Sequence, residues 1–253
     1  MFAEERHAAI EQYLKEEGKV RVRELSEKFQ VTEDCIRKDL KLLENAGRCK
    51  RTYGGAILSQ DYPQARYLAD RRDYHIKNKA TIAGKALELI REGETVFIDI
   101  STTNIELAKV LAHSRKKITV VSNMIDILQI LAGNPDITVI GTGGILHRNV
   151  NGFMGSAAIE TIRQYSYDRS FMGCCGMDPT DRTFTTLGVE DGLTKKSAVA
   201  CSRHTYIMME RSKFYFNESY KFAQLDDVDA IITDEYPDAT ICQMLETVGV
   251  ELI

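Results

Sequence analysis

Two groups of residues in this chain have types and spacings that can do chemistry. The first is cationic. Arg37, Lys38 and Lys41 crowd one side of the stretch VTEDCIRKDLKLLENAG (31–47), and Arg48, Lys50 and Arg51 follow at once in RCKRT (48–52). Such groups on one helical face can meet base edges and phosphates in a DNA groove, while cations beside them neutralise the backbone. The second group is made of hydroxyls, amides and glycines. Ser101-Thr102-Thr103, Ser122-Asn123 and Gly141-Thr142-Gly143-Gly144 each follow an apolar run. Hydroxyls and free backbone amides at a helix start can hold an anion, and glycines let a ligand approach the backbone closely. A hydroxyl in that position can equally do no more than cap its own helix. Further on stand Asp168, then Glu190 with Lys195, then Glu210 with Lys213 in MERSKF. A lysine at a strand end can counter a phosphate and a carboxylate can hold sugar hydroxyls, although each charge taken singly reads first as a solvated group.

The elements that must position the cations can be read on either side of them. Thr32 suits a helix N-cap, since its hydroxyl can accept a hydrogen bond from an amide of the first turn. Ile36, Leu40 and Leu43 recur at helical spacing on the face opposite the cations, and Gly47 can end the helix in a left-handed conformation. Alone, this reads as a solvated surface helix sooner than as a DNA-reading one. Its neighbours change that. VRVRELSEKFQ (20–30) gives a short extended piece and then a helix packing through Val22, Leu25 and Phe29, so the joint before Thr32 is as tight as in a helix-turn-helix. After the cations, Tyr53, Gly54 and Gly55 turn the chain into Ala56-Ile57-Leu58, making a basic hairpin like the wing of a winged helix.

The second group needs a different scaffold. Residues 59–75 (SQDYPQARYLADRRDYH) break the pattern and read as a linker, in which Arg71 and Arg72 could reach DNA, a partner subunit or nothing. From Lys77 onward helical and strand patterns alternate: a helix over 78–91, a strand over 95–100, a helix over 104–113, a strand over 118–121, a helix near 124–131 and a strand over 137–140. Later strands fall at 169–173, 206–209 and 230–233. Alternation of this kind predicts a mostly parallel sheet with helices on its faces, and ligands of such sheets sit beyond the carboxyl ends of the strands. The three small, polar stretches all lie at such ends, which favours one shared pocket. The glycine loop fails the dinucleotide fingerprint because Leu146 occupies the third glycine position, so no nicotinamide cofactor is expected.

Composition allows both halves. The 253 residues suit one small domain and one larger one, and 43% hydrophobic with 28% charged residues is ordinary for a soluble globular protein. The net charge of −4 argues against a nucleic-acid binder until its distribution is considered: residues 1–56 hold 12 Lys and Arg against 11 Asp and Glu, and the basic residues from Arg37 to Arg51 form a local patch. The six cysteines show no C-x-x-C pair and no His cluster at metal-ligand spacing, so no metal site is expected. Adjacent Cys174 and Cys175 read as small strand residues, with redox sensing as the other possibility. The acid-rich N-terminal helix is unlike a signal peptide and no apolar run spans a bilayer, which implies a cytoplasmic protein without a membrane partner.

Arg6, Ile10 and Leu14, then Thr32, Cys35, Ile36, Arg37, Lys38, Asp39 and Leu40, continue through Leu43, Glu44 and Gly47 to Arg51, Gly54, Gly55 and Ala56 in a pattern that resembles the DeoR family of bacterial transcriptional regulators. Cys35 stands where the family has Thr and Tyr53 where it has His, departures that bear on operator sequence. Downstream, FIDISTTN (97–104), VVSN (120–123), GTGG (141–144), YDRSFMG (167–173), VED with Lys195 (189–195) and ERSKF (210–214) are similar to the family's effector domain. Ser101 replaces a Gly of that pattern, and Glu210-Arg211 replace Asp-Ser, leaving open which sugar is bound. The resemblance covers nearly the whole chain. It implies an α/β fold class: a winged helix-turn-helix DNA-binding domain (1–58), the linker (59–75), and a larger effector domain (76–253) similar to ribose-5-phosphate isomerase and CoA transferase folds.

The function implied is a repressor of a sugar or polyol operon, not an enzyme. Its partners would be double-stranded operator DNA, a phosphorylated sugar or polyol, and further copies of itself in a dimer or tetramer. DNA would meet Thr32, Arg37, Lys38, Lys41, Arg48, Lys50 and Arg51. The effector's phosphate would rest on Ser101, Thr102 and Thr103 with Lys213 or Lys195 as counter-charge, while Asp99, Asn123 and Glu190 hold hydroxyls beside Gly143 and Gly144. The competing reading is a sugar-phosphate isomerase or deaminase with an accessory DNA-binding head, using Asp99 or Glu190 as the base.

Overall fold

The chain divides into two units, residues 1–67 and 68–253. The computed structural model describes residues 3–45, 48–52, 54–58, 71–72 and 74–253. Most of the expected linker therefore lies outside the described residues, as do Gly47 and Tyr53; Arg71, Arg72, Tyr74 and His75 belong to the second unit.

In the first unit, α1 (Ala3–Glu17), β1 (Lys19–Arg21), α2 (Val22–Phe29) and α3 (Glu33–Asn45) are followed by the antiparallel hairpin of β2 (Cys49–Thr52) and β3 (Gly55–Leu58). β1 joins the hairpin to give the order β1-β3-β2. The helix-turn-helix joint forms because Gln30 adopts a left-handed conformation (φ 53°) that ends α2. Two residues later the Thr32 hydroxyl accepts a hydrogen bond from the Cys35 amide at 3.2 Å, capping α3. The periodic residues Ile10, Leu14, Leu25, Ile36, Leu40 and Leu43 are all buried in one cluster with Val20, Val22, Cys49 and Ala56. At about 1.5–3 kcal/mol for each large aliphatic side chain removed from water, this small core is what holds the three helices to the hairpin.

The second unit runs α4 (Ile76–Leu89), β4 (Thr95–Ile98), α5 (Thr102–Ala112), β5 (Ile118–Ser122), α6 (Ile125–Leu131), β6 (Ile137–Gly141), β7 (Ile145–His147), β8 (Gly152–Met154), α7 (Ser156–Arg163), β9 (Tyr167–Gly173), β10 (Gly176–Asp178), β11 (Thr183–Thr186), α8 (Val189–Ala200), β12 (Ser202–Met208), β13 (Tyr220–Gln224), β14 (Ala230–Ile232), α9 (Ala239–Val248) and β15 (Glu251–Leu252). Seven strands form one sheet in the order β15-β14-β12-β9-β4-β5-β6, every neighbouring pair parallel. Strand periodicity explains its two covered faces. Val96 and Ile98 point into a core shared with α4, α5 and α6, whereas Phe97 between them joins Ile162 of α7, Ala198 of α8 and Leu245 of α9.

Some expectations needed correction. The helix expected over 104–113 begins at Thr102, because Ser101 caps it, so Thr102 and Thr103 lie in its first turn. Cys174 and Cys175 are not strand residues; they follow β9 at its carboxyl end. Asp168 sits at the amino end of β9, where its carboxylate accepts from the Thr95 amide at 2.9 Å, on the wrong edge of the sheet for a pocket at the strand ends. The antiparallel sheet β10-β11-β13 and the hairpin β7-β8 have no counterpart in the sequence reading.

Candidate functional site

On α3 the apolar stripe faces the core and the cations face out: Arg37, Lys38 and Lys41 are all exposed. The orientation of the helix is fixed from behind. Asp39 is buried and receives two hydrogen bonds from the Arg6 guanidinium, at 2.6 and 3.1 Å, and lies 2.9 Å from His7 Nε2. Burial would raise the Asp39 carboxyl, but the hydrogen bonds from Arg6 and His7 outweigh it and hold the carboxyl below its ordinary value. A fork-shaped donor meeting a carboxylate at two points fixes angle as well as distance, so this pair sets how α3 is presented. Sequence reading noted both residues without pairing them.

Arg37 is paired within its own helix. Its guanidinium reaches Asp34 at 2.7 Å and Glu33 at 2.5 Å, in the first turn of its own helix. Arg51 bonds Glu44 through Nε at 3.1 Å, and Arg48 stands 3.9 Å from Glu11. Exposed pairs of this kind are worth little, about 0–1 kcal/mol, and open readily toward a phosphate or base.

In the second unit the strand ends bring a different set together. One residue beyond the paired Ile98 and Ser122 of β4 and β5 lie Asp99 and Asn123, side by side and fully buried. Asp99 Oδ2 accepts from the Gly173 amide at 3.1 Å and from the Lys195 ammonium, and Lys195 also stands 3.6 Å from Asp191. Burial raises the Asp99 carboxyl to about 6 against the pull of Lys195. Burial alone would lower the Lys195 amine, but Asp191 and Asp99 more than reverse this and hold the proton on it. Gly173 is required here, since a Cβ would stand 2.4 Å from that of Ser101. Ser101 accepts from the Thr103 amide at 3.2 Å, so its hydroxyl caps α5.

Among the described residues, the buried polar atoms without a partner include Asp99 Oδ1, Thr103 Oγ1, Asn104 Oδ1 and Asn123 Oδ1 at these strand ends. Asn104, which sequence reading passed over, ties the ends of β4 and β9 by donating to Asp99 O at 2.8 Å and Phe171 O at 2.9 Å. Lys213 donates to Cys174 O at 2.8 Å, just beyond β9. Gly143 and Gly144, after β6, both have left-handed backbones (φ 64° and 112°). At Gly144 the missing side chain leaves room for Ala158 and Met154 O, whereas a Cβ at Gly143 would meet nothing within 4 Å. Glu190 is not brought to this group: it is exposed and pairs with His147 at 2.9 Å. Its place beside Lys195 is taken by Asp191, which also accepts from Thr186 at 2.5 Å. No described helix is long and apolar enough to cross a membrane.

Residues 6–61 match the family described as DeoR-like helix-turn-helix domain, and residues 74–235 match the DeoR C terminal sensor domain. The HTH-type transcriptional repressor GlcR of Bacillus subtilis (strain 168) is 30% identical over 100% of this chain and 96% of its own. The glycerol-3-phosphate regulon repressor of Escherichia coli (strain K12) is 30% identical over 98% of this chain and 97% of its own. Among solved structures, ribose 5 phosphate isomerase A from Neisseria gonorrhoeae overlaps 53% of this chain and 52% of its own at 20% identity and a TM-score of 0.39. That overlap is too partial to bear on function. With an outward cationic helix in one unit and both family matches spanning nearly its whole length, the chain belongs to the DeoR family of transcriptional regulators.

Proposed function

We propose that this regulator is an operator-binding repressor whose sensor unit takes a phosphorylated sugar or polyol. The observation that supports the sensor half is the set of partnerless buried polar atoms on Asp99, Thr103, Asn104 and Asn123, at the carboxyl ends of adjacent parallel strands. Buried polar groups in native proteins are nearly all paired, and exceptions mark sites that a ligand or water completes. A ligand with several hydroxyls and one phosphate fits that demand. Asn123 and the free oxygen of Asp99 accept or donate to hydroxyls. The first turn of α5, with Thr102 and Thr103, offers amides and a hydroxyl to the phosphate, Gly143 leaves space beside it, and Lys213 supplies charge. Lys195 is already committed to Asp99 and Asp191, and serves to hold that carboxylate in place.

On the DNA side, Arg37, Lys38 and Lys41 take the groove, Arg48, Lys50 and Arg51 take the backbone, and Thr32 fixes the start of the helix between them. Copies of the chain act together as a homo-oligomer in the cytoplasm. Phosphate neutralisation makes affinity fall steeply with salt, and Arg37→Ala lowers operator affinity by about 1–3 kcal/mol if it makes a good base contact. The decisive titration binds the full chain to DNA from upstream of its own operon and challenges the complex with ribose 5-phosphate, glucosamine 6-phosphate, glucose 6-phosphate and glycerol 3-phosphate. Release or tightening by one of them, and not by its dephosphorylated parent, supports the reading; indifference to every phosphorylated compound ends it.

One observation favours a second reading. A buried carboxyl raised to about 6 beside a lysine could serve as the proton-transfer base of an isomerase or deaminase. Turnover of ribose 5-phosphate or glucosamine 6-phosphate by the purified chain would establish it.

A further inference from the structure

The first described residues of the sensor unit form a strap along the carboxyl edge of its sheet. Arg72 pairs with Asp126, at the start of α6 behind β5. Three residues on, His75 Nδ1 meets Glu210 Oε2 at 2.5 Å, just beyond β12. In the strand order, β4 and β9 stand between those two anchors, and their ends carry Asp99 and Gly173. The buried Lys79 holds the strap from beneath, its ammonium donating to the carbonyls of Arg71, at 2.6 Å, and Tyr74.

Cations and carboxylates meet at this crossing. Burial is the main reason the Lys79 amine is pushed down to about 8, and Lys213 and Arg71 add to it against the pull of Glu210 and Glu106. Arg71 is tied to Lys79 through its backbone carbonyl, and Lys213 is the lysine that reaches Cys174 O at the end of β9. Arg71 Nε is buried and has no hydrogen-bond partner. A guanidinium with an enclosed, unused donor, one residue from the Arg72 anchor, is an incomplete arrangement, and a phosphate dianion would complete it, since a planar fork of donors matches its oxygens.

We propose that Arg71 is a phosphate-binding residue of the sensor and that the effector's phosphate seats the strap through it. The proposal rests on the sugar-phosphate reading above and adds to it a residue and a route. In sequence the strap comes directly after residues 59–70, which join it to the DNA-binding unit. A ligand shifts DNA affinity only through contacts that differ between states, and a contact on this strap is one that can differ.

The test uses the full chain and the four sugar phosphates already named, each beside its dephosphorylated parent, with Arg71→Gln, Arg71→Lys and Lys213→Ala. Calorimetric titration of Arg71→Gln should show affinity for the phosphorylated probe reduced about ten-fold or more, with affinity for the parent compound unchanged; Arg71→Lys should fall between. Hydrogen exchange should show the Lys79 amide, bonded to His75 O at 3.1 Å, slowed by the probe in the wild type and not in Arg71→Gln. Unaltered binding and exchange in Arg71→Gln, with binding lost in Lys213→Ala, would overturn the role of Arg71 and leave the effector reading standing. A wild type that binds none of the four probes removes the effector reading and this proposal together.

Discussion

The two units treat buried polarity in opposite ways. In the DNA-binding unit, Asp39 is met by both Arg6 and His7, and no buried side-chain atom without a partner is found among its described residues. In the sensor unit, Asp99, Thr103, Asn104 and Asn123 each keep one buried atom unmet at the same edge of one sheet. An unpaired buried hydroxyl or amide costs about 1–3 kcal/mol by mutational measures. The first unit needs a rigid back so that its exposed face can work. The second keeps unmet polar atoms inside, at the strand ends where the effector is proposed to bind.

The largest test of that contrast is to remove one partner from each buried pair. Arg6→Met leaves Asp39 with His7 and the Cys35 thiol, and Lys195→Met leaves Asp99 with the Gly173 amide. Stranding a buried charge costs about 3–5 kcal/mol, while replacing both members by apolar groups of similar size is often neutral. Each variant should lower the calorimetric transition of its own unit by that amount. Asp99→Leu combined with Lys195→Met should recover most of the loss yet bind no sugar phosphate. If Lys195→Met cost under about 1 kcal/mol, the sensor pair would not be the buried, committed contact described above.

The difference between the units also decided what could be read from the sequence. Local rules were enough for the first: Thr32 caps α3, Ile36, Leu40 and Leu43 bury one face, and the hairpin turns at its glycines. In the sensor unit the parallel sheet was legible because apolar runs alternate with helical periods. The site was legible only as a set of strand ends. Which carboxylate would pair with Lys195 depends on a contact with Asp99, far away in sequence, and Asp191 is one helical turn from it where Glu190 is not. The Arg6–Asp39 fork was invisible for the same reason. The short strands β7, β8, β10 and β11 lack the length to show a period of their own, so only tertiary pairing reveals them.

A middle-sized effect comes from Thr103→Val, which keeps the shape of the side chain and deletes a buried hydroxyl that has no partner. Removing an unsatisfied group should leave the empty sensor as stable as before or raise it by about 1 kcal/mol, while affinity for the phosphorylated probe drops about ten-fold. In the first unit no such exchange is available, because Asp39→Asn should only destabilise. A Thr103→Val sensor that melts well below the wild type would mean its hydroxyl is already satisfied in the empty protein. Thr32→Ala, which deletes a cap seen at 3.2 Å, should cost the first unit about 1 kcal/mol by thermal melting.

The smallest effect separates the units by sign. Asp39 is held below its ordinary value of 3.8, since hydrogen bonds from Arg6 and His7 outweigh the burial that would raise it. Its contribution to stability is therefore complete above that value and is lost as pH falls through the lower, folded-state value. Asp99 is raised by burial to about 6, so the folded sensor takes up this proton before the unfolded chain does. Through Asp99 alone, acidification from about 6 toward the ordinary carboxylate range near 4 favours the folded state. Urea unfolding of each unit across this range, with Asp39→Asn and Asp99→Asn as references, isolates the two groups. The advantage of the wild type over Asp39→Asn should hold steady down to about pH 4 and then shrink, whereas its standing relative to Asp99→Asn should improve between pH 7 and about 4. Two differences that moved in the same direction would mean that both carboxylates are equally well met, and the sensor would have lost its claim to an unfinished interior.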